Sequence, residues 1–182
     1  MLQITIKGCD DLWDEKNEEY ISVKDTKLQL EHSLISLSKW ESKWCKPFLS
    51  QEPKTEEQNV DYVRCMTINQ NVDPKVYYAL TPAQIKEISD YINAPMTATW
   101  FSEDKNTAKK NKEVITNELI YYWMVALQIP FECERWHINR LLTLIRVCNV
   151  KNEPPKKMSK KDLLGRNRSL NAARRAKLGS RG

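Results

Sequence analysis

Glycine is scarce in this chain, and the scarcity excludes a class of sites. Of four glycines only Gly8 precedes Gly165, so no glycine-rich turn is available to cradle phosphates in the manner of a nucleoside-triphosphate or dinucleotide site. Histidine is nearly as rare: His32 and His137 stand alone, and neither belongs to a nucleophile or zinc-ligand motif. Cys9, Cys45, Cys65, Cys133 and Cys148 include no Cys-x-x-Cys pair and follow no repeated spacing, which points to reduced thiols rather than a disulfide framework. Long apolar runs are absent too. "LIYYWMVAL" at 119–127 is about half of what a membrane span needs, and "MLQITIKGCD" lacks the apolar stretch of a signal peptide. The expectation is a soluble intracellular protein that makes no membrane contact.

Acidic residues are missing from the end of the chain. The formal charge of the 182 residues is +5, but residues 151–182 carry 11 Lys/Arg against Glu153 and Asp162, leaving 18 basic and 22 acidic residues in 1–150. A mildly acidic body thus precedes a basic tail, a split that usually marks a segment meeting another macromolecule, a solvated like-charge run with no partner being the plain alternative. Pro154 and Pro155 in "KNEPPKKM" stop any helix and mark the boundary. Two parts follow: a globular domain over 1–150 and a Pro-bounded basic tail over 151–182.

The period of the hydrophobic pattern changes along the body. "LQITI", "EYISV" and "KLQLE" alternate apolar and polar residues and predict three short N-terminal strands, with "KGCDDLWDEKNE" as a charged connection. From Ser33 the spacing of Leu34, Leu37, Trp40 and Trp44 predicts a helix. Thr55 and Gln58 form a start signal for a second helix, ending near Asn71. Asp73-Pro74 and Thr81-Pro82 open further helical turns. "SEDKNTAKKNKE" at 102–113 reads as an exposed loop. The most apolar stretch then predicts two core helices, over about 116–128 and 130–149. The fold class is α+β, predominantly helical, closed by a basic C-terminal helix.

Chemistry-bearing groups are few. Cys133 and His137 are four apart and would share a helical face, but two ligands do not complete a zinc site, and a buried thiol beside a satisfied histidine is the better reading. Glu132 with Glu134 and Asp10 with Asp11 are ordinary surface pairs unless one acid is desolvated. Trp40, Trp44, Tyr121, Tyr122, Trp123 and Trp136 sit in apolar helical patterns; core packing is the better reading, with a binding groove using one or two of them as the alternative. No catalysis and no cofactor are expected.

The tail is more informative. Ser159 and Asp162 predict the start of a helix running to about Lys177, too short in large apolar residues to form a core. Leu163 and Leu170, with Lys160, Lys161, Arg166, Arg168, Arg174 and Arg175, are the candidate partner-binding residues. They suit a helix that orders on a protein partner. Electrostatic contact with nucleic acid stands as a second reading, without base stacking, since no aromatic residue follows Trp136.

Several stretches carry a resemblance. "LQLEHSLISLSKWESKWCKPFLS", "DYVRCMTINQNVDP", "INAPMTATWF", "ITNELIYYWMVALQIPFECERWHINRLLTLIRVCN" and "PPKKMS" resemble a family of small proteins encoded among the structural genes of long-tailed bacteriophages and prophages, associated with tail assembly chaperones. The likeness runs over nearly the whole chain. It implies a non-catalytic protein of the bacterial host cytoplasm, absent from the mature virion, that binds the tape-measure protein and helps recruit tail-tube subunits; self-association is a separate expectation. Alternative readings are a structural virion component of the neck, tail terminator or baseplate, and a nucleic-acid-binding accessory protein. The resemblance transfers no catalytic, cofactor or metal residue.

Overall fold

Four strands open the chain: β1 (Leu2–Ile6), β2 (Cys9–Asp14), β3 (Glu19–Val23) and β4 (Thr26–Leu30). β1 pairs antiparallel with β4, Leu2 opposite Leu30, and the alternation of "LQITI" and "TKLQL" buries Ile4, Ile6, Leu28 and Leu30 on one face. β2 and β3 form a second antiparallel pair, with Trp13 opposite Tyr20 and their rings edge to face at 5.0 Å. The sequence reading expects three strands and misses β2. Its charged "DD" pair hides the period of two, and cross-strand pairing with β3 supplies the order instead. The computed structural model describes residues 1–14, 18–101, 114–152 and 160–179. The expected loop at 102–113, Pro154-Pro155 and the Ser159 cap lie outside the described residues.

The helices are α1 (Leu34–Trp44), α2 (Glu56–Met66), α3 (Pro82–Asn93), α4 (Asn117–Ala126), α5 (Ile138–Asn152) and α6 (Lys160–Leu178), with 3-10 turns at Pro74–Ala79 and Phe131–Arg135. Starts follow the anticipated signals. Ser33, Thr55, Asp73, Thr81 and Thr116 each accept a hydrogen bond from a first-turn amide, and Thr55 and Thr81 complete capping boxes with Gln58 and Gln84.

Ends are set by tertiary partners. α2 stops at Met66 rather than near Asn71 because Thr67 leaves the helix to bridge Leu30, and the Ile68 amide donates to the Gln29 carbonyl at 2.9 Å. The chain thereby adds a short rung beside β4. A single helix over 130–149 is not formed either. His137 bridges Ser33, and the Ile138 amide donates to the His32 carbonyl at 2.7 Å. An amide given to another segment cannot continue the preceding helix, so the 3-10 turn ends, Trp136 is extended, and α5 starts afresh.

The architecture is α+β and predominantly helical. Leu34, Leu37 and Trp40 of α1, Tyr62 and Met66 of α2, Ile120 and Met124 of α4, and Ile138, Leu141 and Ile145 of α5 form the core together with the β1–β4 face. Trp40 is fully buried and its indole N–H donates to the Gln58 carbonyl at 2.9 Å. The chain divides into two units, Met1–Asn149 and Val150–Gly182. Among the described residues no helix is long and apolar enough to cross a membrane.

Candidate functional site

α6 holds every residue singled out for partner binding. Its polarity is internally consistent: Asp162 lies in the first turn and Arg175 and Lys177 in the last, each favourable to the helix dipole, and Gly179 at φ +63° follows the C-terminus. Residues 161–179 are exposed throughout. Leu163 is 49% exposed and Leu170 46%, high for leucines seven residues apart on one helical face.

The structure separates these residues into two ridges. Leu163, Arg166, Leu170, Arg174 and Lys177 advance by three, four, four and three residues, so apolar and basic groups interleave along one line. Lys161, Leu164, Arg168 and Arg175 advance by three, four and seven and lie on the far side of the helix, on a line that is mostly charge. Lys160 begins the helix. Arg174 and Arg175, adjacent in sequence, therefore serve different faces. Sequence reasoning passed over Leu164 and Lys177, which only the helical register reveals.

Gly165 weakens this helix and has no packing reason to be there, since a Cβ at that position meets no heavy atom within 4 Å. Gly165→Ala is expected to stabilise α6 by about 1 kcal/mol. Circular dichroism of the full chain checks this through a rise in helical signal and a later loss of that increment on heating. An unchanged spectrum contradicts it.

A second unpartnered surface lies on the outer side of α4. Tyr122 is 65% exposed, Val125 61% and Phe131 56%, and the Phe131 ring rests 6.4 Å from that of Tyr121. Core packing, the preferred reading of the aromatics, does not hold for Tyr122: three consecutive aromatics on one helix cannot all face inward, and here Tyr121 and Trp123 are half-buried while Tyr122 is out. Carboxylates flank the patch. Glu118 stands one turn before Tyr122, Glu132 is exposed beside Phe131, and Glu134 accepts a hydrogen bond from the Tyr121 hydroxyl at 3.0 Å. Its own backbone amide, helped by the Thr116 and Asn117 side chains, holds the Glu118 carboxyl below its usual range, and burial beside Glu134 pushes the Tyr121 phenol up to about 12.

The interior polar groups are engaged with one another. The two carboxylate oxygens of Glu41 accept from the Phe48 amide at 2.7 Å, the Asn117 amide at 2.8 Å and the Asn117 side-chain amide at 2.6 Å. His32 Nδ1 and the Tyr62 hydroxyl share a hydrogen bond, and the His32 and His137 rings meet edge to face at 5.0 Å. His137 Nδ1 accepts from the Asn139 amide at 3.3 Å, so its Nε2–H donates to the Tyr91 carbonyl at 3.0 Å, which defines the neutral tautomer. Burial, reinforced by the neighbouring His137, lowers the His32 pKa to about 3, and burial lowers that of His137 too.

Cys133 lies in the 3-10 turn and His137 beyond it, so the helical face imagined for them is not formed. Among the described residues no group of three His, Cys, Asp or Glu is placed to hold a metal ion.

The thiols differ in reach. Cys45 is exposed, Cys133 is buried, and burial pushes Cys65 up to about 11. A disulfide reagent is expected to consume Cys45 first at neutral pH, the half-buried Cys9, Cys65 and Cys148 more slowly, and buried Cys133 only on denaturation. Loss of the fast phase in Cys45→Ser checks the assignment, and a fast phase that survives contradicts it.

Compared with protein-family models, curated proteins and solved structures, the chain finds no match.

Proposed function

We propose that this chain is a non-catalytic phage tail assembly factor. It binds the tape-measure protein in the host cytoplasm, keeps that protein's apolar helices soluble while tail-tube subunits gather, and is absent from the finished particle. One structural observation carries the reading: α6 is a 19-residue helix bearing an exposed Leu163–Leu170 ridge. A helix of that length and composition is marginal alone in water and gains order on a partner. The resemblance of "ITNELIYYWMVALQIPFECERWHINRLLTLIRVCN" and its companion stretches to phage tail chaperones supplies the identity of the client.

Co-expression with the tape-measure protein, together with mass spectrometry of purified particles, tests the reading. Soluble co-purification and absence from particles are expected. Stoichiometric copies in particles would favour the neck, terminator or baseplate alternative. The Lys161–Arg168–Arg175 line favours a second reading, an electrostatic contact with nucleic acid. DNA retention that falls steeply with salt and vanishes on removing residues 156–182 is its signature.

A further inference from the structure

We infer that copies of this chain associate head to tail, the α6 ridge of one copy seating on the outer face of α4 in the next. Two observations made on separate surfaces carry the inference. The first is apolar complementarity. Tyr122 and Val125, three residues apart on α4, are exposed, as is Phe131 of the following turn, whose ring rests against that of Tyr121; a second helix can cover such a face by ridge-into-groove packing. The α6 line that contains Leu163 and Leu170 has apolar groups two turns apart, the spacing at which one helix anchors on another.

The second observation is charge. Glu118, Glu132 and Glu134 border the α4 patch and outnumber Arg135, the exposed cation of the following turn. Arg174 and Lys177 continue the leucine ridge of α6. A basic apolar ridge meeting an acid-rimmed apolar face is favourable in steering and in register. Pairing of two α4 faces would set these carboxylates against each other, and pairing of two α6 ridges would oppose arginines and lysines. Like charges so placed are disfavoured, which selects the heterologous arrangement over an isologous one. The occupant of the α4 face is thus a second copy, and the assembly is dynamic and salt-sensitive.

This inference goes beyond client binding and does not depend on it, because its test contains no client. Sedimentation velocity is performed on the full chain at about 100 μM in low salt, a concentration that reveals affinities in the micromolar range. Association is expected, and added salt is expected to reverse it.

Two variants then isolate the surfaces: Leu163→Ser with Leu170→Ser removes the ridge, and Val125→Ser with Phe131→Ser removes the face. Each is expected to be monomeric alone, and a one-to-one mixture is expected to form heterodimers, since one supplies an intact face and the other an intact ridge. Tyr122→Ser, which alters a mostly exposed side chain, replaces the face variant if circular dichroism shows that the double change unfolds. A monomeric full chain, association that either folded variant leaves intact, or a mixture that stays monomeric would each overturn the inference.

Discussion

Glu41→Ala is expected to destabilise the protein by on the order of 4 kcal/mol, among the largest effects of any single substitution in this chain. The carboxylate is 7% exposed and joins two segments that are distant in sequence, the turn after α1 through the Phe48 amide and the start of α4 through two donors of Asn117. Removing it strands three buried donors, each costing on the order of 1–3 kcal/mol when unpaired, with some recovered by relaxation and entering water. Its negative charge also lies at the first residue of α4, where the helix dipole favours an anion. Urea unfolding at pH 7 measures the effect. A loss below about 1 kcal/mol would mean that Glu41 is dispensable to the join between α1 and α4.

Acid is the second strong perturbant. His32 is buried, with its pKa lowered from 6.5 to about 3, and the His137 pKa is lowered as well. Between these limits the unfolded chain takes up protons that the folded chain refuses. The contribution is fully present above pH 6.5 and is lost as pH falls toward 3. For His32 alone the loss reaches about 3 kcal/mol by pH 4.5, at about 1.4 kcal/mol per pH unit. Carboxylates that titrate over the same range add their own effects, so the specific check is the NMR titration of the His32 ring. Its C–H resonances are expected to stay at neutral-imidazole positions down to pH 4.5 in folded protein. A midpoint near 6.5 contradicts the buried assignment.

These two groups also show what local pattern leaves unread. Caps were legible: Ser33, Thr55 and Thr81 act through neighbours three residues away, and such signals survive in one dimension. Thr67 and His137 were not legible. Each ends or delays a helix by pairing with a residue of the β4–α1 junction, 37 positions away for Leu30–Thr67 and 104 for Ser33–His137, and no periodicity encodes that. β2 was missed for a local reason: its Asp10-Asp11 pair breaks the alternation, although its partner β3 lies only a few residues on.

At the candidate site the basic tail and its leucines stood out in composition. The division of Arg174 from Arg175 required the helical register, and the exposure of Tyr122 required knowing which side of α4 faces the core.

Docking through leucines rather than charge is the central claim, and it makes a graded prediction. Leu163 and Leu170 are the apolar anchors of the ridge, Arg174 continues it, and Arg175 lies on the other line. Desolvated apolar anchors carry more interface energy than exposed charges, which salt screens. The decisive measurement is the affinity of the full chain for the purified tape-measure protein at physiological salt. Changing Leu163 and Leu170 together to Ser is expected to weaken binding on the order of 30-fold, equivalent to about 2 kcal/mol. Neutralising Arg174 together with Arg175 should cost only a few-fold. Abolition of binding by the arginine changes, with added DNA competing for the same surface, would contradict the account and make α6 an electrostatic nucleic-acid contact.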